Sequence, residues 1–321
     1  MAYDFSWANP VTTRSMVMLE IAAGLVSGDD VGVRQAKVLL REQGKKDWVL
    51  SLYGSGTMES IDAVMNHEAD VAIANPSAAL MLAHRGHAPY TKPLPVRTIA
   101  VIPSLDQMVF AVKSDTGIRT FEEIAAKKPS LRVGLRGDPR HGLNTIMDHI
   151  TAAAGFSLND LKAWGGEARH FGPLPWPGGE KFQALERGEI NAIFDEASDI
   201  WIEDALNAGM TILPLAESTV VKLEAMGYRR GIIRRELFPR LPADVLSIDF
   251  SGWPIFVHAD LPDERVTQVC AALDERKQHI PWQGDGPLPV EIMCRDAPET
   301  PLDVPLHPAA EKFWRERGYL K

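Results

Sequence analysis

The stretch Ala69-Asp70-Val71-Ala72-Ile73-Ala74-Asn75-Pro76-Ser77-Ala78-Ala79-Leu80 decides how this chain folds. A short apolar run, too brief for a helix, ends in a polar Asn-Pro-Ser turn, and a helical pattern begins at once. Further along, Glu189-Ile190-Asn191-Ala192-Ile193-Phe194-Asp195-Glu196-Ala197-Ser198-Asp199-Ile200-Trp201 repeats the cadence. Strand, polar turn and helix succeed one another from Val49 to His84 and again from Leu131 to Asn207. Such alternation predicts an α/β protein with mostly parallel sheets. Two similar α/β lobes are the economical explanation of a cadence written twice.

Working outward, Tyr3–Ala8 reads as a first strand, Asn9–Thr13 as a turn, and Ser15 onward as a helix with Met16, Leu19, Ala23 and Val26 on one face. A second helix is expected over 33–41. Val49–Leu52 is a strand, and Tyr53-Gly54-Ser55-Gly56-Thr57 a glycine turn into a helix. Val96–Ile102 and Met108–Val112 are strand-like. Thr120 and Glu123 have capping-box spacing. Leu131–Leu135 is a strand, Leu143–Ala153 a helix and Gly165–Gly179 a Gly/Pro-rich loop. Lys181–Arg187 is a helix, Ile190–Phe194 a strand and Ile200–Asn207 a helix.

The chain has 321 residues, enough for two domains, and a formal charge of −9, which argues against nucleic acid as a partner. Its two cysteines, Cys270 and Cys294, sit in no metal-ligand spacing and read as unpaired small hydrophobes. The scattered histidines support no metal site, and no motif calls for a cofactor. No apolar run reaches the ~18 residues of a membrane helix. The N-terminus lacks the basic start and apolar core of a signal peptide. Two compartments stay open: periplasmic if a leader was removed, cytoplasmic if Met1 is the native start.

In open α/β sheets the turns at the carboxyl ends of strands line the ligand crevice. Two facing lobes would bring Tyr53–Thr57, Asn75–Ser77, Arg136–His141 and Asp195–Asp199 to one cleft. Arg136 and Arg140, in Arg136-Gly137-Asp138-Pro139-Arg140-His141-Gly142, can grip a carboxylate through paired hydrogen bonds, beside the N–H groups that open the next helix. Surface arginines balanced by Asp138 are the plain alternative. Gly54–Thr57 lacks the lysine of a phosphate loop; Gly56 lets backbone approach a ligand, and Ser55 and Thr57 add hydroxyls. Tyr53, Asn75 and Ser77 share these turns. Thr12, Thr13 and Arg14 either meet a ligand or cap the first helix. Asp195, Glu196 and Asp199, opposed to Arg136 and Arg140, would bind an amino group, position a hydroxyl, act as general base, form a salt bridge that locks the lobes, or serve only as acids at a helix N-terminus. Trp176, in its proline-rich loop, is a candidate lid.

Several stretches together resemble one family. Tyr53–Ile61 followed by Glu68-Ala69-Asp70-Val71-Ala72-Ile73 resembles the glycine-loop helix and following strand of TAXI-type solute receptors of TRAP transporters. Val109–Ile118 resembles their crossover into the second lobe, and Ala184–Phe194 their second-lobe strand. Ala259–Glu264 and Leu306–Ala310 also match, so the resemblance runs from about Thr12 to Tyr319. It implies a two-lobed type II periplasmic-binding-protein fold: lobe I over 1–108 and 215–321, lobe II over 109–214, with crossovers near 108–113 and 210–215. It further implies a small organic acid or amino-acid-like ligand and membrane transporter subunits as partners. The chain departs from the family at Asn9–Ser15, where a glycine-rich turn is usual, and at Arg136–Gly142 and Asp195–Glu196. Some decarboxylases share this scaffold. An enzyme acting on a small carboxylate, with Asp195, Glu196 or His141 as acid/base, is therefore the competing expectation.

Overall fold

The computed structural model describes residues 10–27, 35–42, 44 and 48–321, with the backbone alone for 10–12. The expected strand at Tyr3–Ala8 lies outside the described residues. In chain order the elements are α1 (Pro10–Ser27), β1 (Ala36–Arg41), β2 (Val49–Gly54), α2 (Thr57–Met65), β3 (Val71–Ile73), α3 (Ser77–Arg85), β4 (Val96–Ile102) and β5 (Val109–Lys113). Then come α4 (Glu123–Lys127), β6 (Arg132–Arg136), α5 (Gly142–Ala153), α6 (Asp160–Ala163), β7 (Glu167–Phe171), α7 (Glu180–Glu186), β8 (Ala192–Asp195), α8 (Ser198–Asn207) and β9 (Met210–Ile212). The chain closes with α9 (Glu217–Met226), β10 (Arg230–Ile233), β11 (Val245–Ile248), β12 (Trp253–His258), α10 (Asp263–Arg276), α11 (Val290–Met293) and α12 (Pro308–Glu316).

Two five-stranded mixed sheets carry the fold, in the orders β1-β2-β3-β12-β4 and β7-β6-β8-β5-β9. Each holds one strand that the chain reaches by crossing over from the other sheet. β5 leaves the first sheet behind and enters the second antiparallel to β8 and β9; β12 returns to lie antiparallel between β3 and β4. This exchange makes the molecule a two-lobed α/β protein of the type II periplasmic-binding-protein kind.

The two connectors run side by side. Phe250 N donates to Asp106 O, Gly252 N to Ser104 O, and Gln107 bridges Asp249. The sequence put the return crossover near 210–215. In the structure Met210–Ile212 is the outer strand of the second sheet, and 213–248 pack on that sheet too: Leu215, Val220 and Tyr228 share a cluster with Ile146 and Phe194, and Phe238, Leu241 and Val245 one with Trp201 and Ile202.

Three readings are corrected. The helix expected over 33–41 is the strand β1 where it is described. Val38 and Leu40 pair across from Leu52 and Leu50, so alternation rather than helical spacing places them. The loop expected over 165–179 contains β7, a polar edge strand parallel to β6. Its half-exposed face explains the missing apolar signal. The first helix starts at Pro10, not Ser15; proline suits the first turn because its missing N–H has no partner there.

The first sheet carries helices on both faces because its strands alternate their apolar side chains. Ala72 and Phe256 face α2 and α3 through Ile61, Val64 and Leu80; Val71, Ile255 and Val257 face α10 and α12. The largest apolar cluster is shared by both lobes, running from Ile61 and Leu80 to Phe110, Ile146 and Phe194. Behind the loop tips the lobes therefore meet through packed side chains. Both cysteines are buried thiols. Among the described residues no helix is long and apolar enough to cross a membrane.

Candidate functional site

The second-lobe part of the site is built where β6 and β8, neighbours in the sheet, end side by side. β6 delivers Arg136 and β8 delivers Asp195, with Glu196 in the turn after it. Arg136 Nη2 donates to Asp195 Oδ1 at 2.6 Å and also to Glu196 Oε1; its Nε lies 3.2 Å from Asp195 Oδ1. Lys181, from α7, stands 3.0 Å from Asp195 Oδ2. Two cations thus hold one carboxylate that is wholly buried. Arg136 keeps one edge of its fork for this clamp, and among the described residues Nη1 has no partner. Burial works against the Arg136 charge, but Asp195 and Glu196 outweigh it and raise its pKa.

The turn between Arg136 and α5 is held close to the sheet. Gly137 N donates to Gly172 O at 2.8 Å, and a Cβ on Gly137 would fall 2.6 Å from that same oxygen. Any side chain there would push the turn off the strand end. His141 caps α5: its Nδ1 accepts from Leu143 N at 3.2 Å. That bond fixes a neutral ring with its proton on Nε2. Burial first, then Arg136, pushes His141 down to about 4, so it stays neutral.

Sequence reasoning missed two members of this cluster. Asp106, on the first connector, accepts from Ala197 N at 2.8 Å and Ser198 N at 3.0 Å, capping α8 from a distant part of the chain. Its carboxyl is also within hydrogen-bonding reach of Glu196. Two carboxyls that close share a proton. Burial, reinforced by Asp106 and opposed by Arg136, pushes Glu196 up to about 8. Lys181 is the other omission. It reads as an ordinary helix lysine, yet its side chain is 1% exposed and burial lowers its pKa. No local signal marks either residue, because their partners are brought to them by tertiary structure.

The first-lobe turns are self-satisfied. Thr57 Oγ1 donates to Asn75 O at 2.7 Å and accepts from Asn75 N at 2.9 Å, tying the glycine turn to the Asn75 turn. Ser55 Oγ donates to Glu59 Oε2 at 2.6 Å. Ser77 is buried with its hydroxyl on Pro301 O. Gly56 precedes α2, and Tyr53 is half-buried beside it. Arg140 reaches from the second lobe to Glu59 Oε1 at 3.3 Å. Ala79 Cβ stands 3.8 Å from where a side chain on Gly142 would begin, so α3 meets the start of α5. The first- and second-lobe turns therefore do face one another.

Other expected site residues are exposed. Thr13 and Arg14 are exposed within α1, and the Thr12 side chain is not among those described. Asp199 is exposed in the first turn of α8. Trp176 is exposed, with its ring folded over Gly179. Among the described residues no group of His, Cys, Asp and Glu has the geometry of a metal site.

Exchanged strands, paired connectors and facing turns define the class as a two-lobed binding-protein fold. The chain belongs to the NMT1-like family, whose model matches residues 21–318. Among solved structures it is similar to the alkanesulfonate-binding protein SsuA from Xanthomonas axonopodis pv. citri bound to MOPS, at 12% identity and a TM-score of 0.32, over 68% of this chain and 62% of that one. It is also similar to an ABC-transporter choline-binding protein in complex with choline, at 17% identity and a TM-score of 0.36, over 80% of this chain and 74% of that one. A third similar structure is the ATP phosphoribosyl transferase complex from Thermotoga maritima, at 14% identity and a TM-score of 0.36, over 80% and 92% of the two chains.

Proposed function

We propose that this protein is a solute-binding protein that captures a small organic acid or amino-acid-like molecule between its lobes and serves a TRAP-type transporter. Membership of the NMT1-like family and the two-lobed fold support the binding role. The TAXI-like order of motifs supports the transporter type.

One observation carries the ligand class. Asp195 and Glu196 clamp Arg136 by Nε and Nη2, so the guanidinium is pre-oriented with Nη1 to spare. A fixed cation that need not reorganise is the group a carboxylate selects. The neutral His141 adds an Nε2–H in the turn that follows Arg136. The two paired connectors, 103–108 and 249–252, act as the hinge on which the lobes close.

The test is calorimetric titration of the full chain with a panel of small mono- and dicarboxylates and amino acids, repeated on Arg136→Lys. Lysine keeps the charge between Asp195 and Glu196 but loses the fork, so binding should weaken by about 1–3 kcal/mol, a tenfold loss or more. Equal affinity in both proteins, or equal binding of the uncharged amides, removes the reading. A ligand recovered with CO₂ or water lost replaces the receptor by an enzyme.

A further inference from the structure

Helix α1 is 18 residues long and carries two charges, Arg14 and Glu20. Met16, Val17, Met18, Ile21, Leu25 and Val26 are 39–64% exposed along it. A helix this apolar around most of its circumference is built to be buried, because propensity alone does not hold a helix in water.

The first sheet has a matching vacancy. α10 covers one part of its outer face, packing Val266 and Val269 on Ile255 and Val257. Beside α10, over β1, β2 and β3, lies an open apolar groove of about 780 Å³, walled by Val38, Leu40, Leu52, Ile73, Val269 and Leu273. Register explains the wall: Val38 lies across from Leu52 and Leu40 across from Leu50, so their side chains share one face. Helices on a sheet lie side by side about 8–10 Å apart, so the position next to α10 is that of one more helix.

We infer that this groove is the docking site of α1 of the same chain. Eight residues, Gly28–Gln35, join Ser27 to Ala36, which itself lines the groove. Extended, the stretch from Ser27 to Ala36 spans at most about 32 Å, so α1 cannot leave the neighbourhood of its site. A tether this short sets an effective concentration in the millimolar range, far above that of a second copy. Charge agrees as well: among the described residues the groove's only charged lining residue is Arg276, and the one anion of α1 is Glu20. Docking completes the first lobe, and it makes the outer sheet face a latch that the N-terminal helix can occupy or vacate.

Spin labels on Met18→Cys and Gln268→Cys, with Cys270 and Cys294 buried, read the distance between α1 and α10 in the full chain. The expected result is a population below about 20 Å, two neighbouring helices plus label arms. It should survive dilution with excess unlabelled protein. Adding Ile21→Asp and Leu25→Asp should abolish it while circular dichroism stays that of a folded protein. A long, broad distribution in the parent, or a short distance indifferent to both aspartates, overturns the inference. A short distance that vanishes on dilution assigns the groove to a second copy and overturns it equally.

Discussion

Lys181 Nζ lies 3.0 Å from Asp195 Oδ2, with the two side chains 1% and 0% exposed. Neither charge could stay there alone, since an unpaired buried charge costs several kcal/mol. Asp195 also pairs with Arg136, so the three residues form one electrostatic unit. Lys181→Met removes one cation and leaves Asp195 half-compensated. The expected cost is about 3–5 kcal/mol, read from the urea midpoint at constant m. A loss below about 1 kcal/mol would show that Arg136 alone suffices.

His141 gives the acid limb of the stability curve. Folded, it is pushed down to about 4 by burial and by Arg136, against an ordinary value of 6.5. Between those values the unfolded chain holds a proton that the folded chain refuses. Stability is therefore full above 6.5 and declines by up to about 3 kcal/mol as pH falls through the window. His141→Asn keeps an oxygen to cap α5 and has nothing to titrate. Urea unfolding of both proteins at about pH 5 and about pH 7.5 checks this. The gap between the two pH values should shrink in the variant; an identical gap counts against His141.

Glu196 works in the opposite direction. Its folded pKa is pushed up to about 8, first by burial, from an ordinary value of 4.5. The folded chain keeps a proton that the unfolded chain has released. Stability from this group is complete below 4.5 and is lost as pH rises toward 8. Arg136, Asp195, Lys181, His141 and Asp106 are the charged and titratable neighbours from the surrounding elements. Glu196→Gln mimics the protonated form and should flatten the decline between about pH 5 and about pH 8. Parallel thermal melts across that range decide it, and parallel slopes would exclude Glu196 as the source.

The cadence of strand, turn and helix was legible because it needs only local patterning. β3 and β8 both end at the polar turns quoted from the sequence, and α3 and α8 follow as read. β1 was not legible: Ala36, Val38, Leu39 and Leu40 fit both helical and strand periods, and only pairing with β2 decides between them. β7 carries Glu, Arg and His on an edge and resembles a loop. At the site, Arg136, His141, Asp195 and Glu196 were named from their turns. What could not be read was that Arg136 spends one edge of its fork on its own lobe, and that Asp106 caps α8 from 91 residues away. Such pairings are properties of the assembled sheets and leave no trace in neighbouring residues.

The position of β12 has a consequence for how the chain matures on the ribosome. It is the inner strand between β3 and β4, yet it is made after the whole second sheet. Until Trp253–His258 emerge, β3 and β4 each present an unmatched hydrogen-bonding rim, while strands β5 to β9 are already complete. Nascent chains of this protein should therefore finish the second lobe first, and be most prone to aggregate just before that last inner strand arrives.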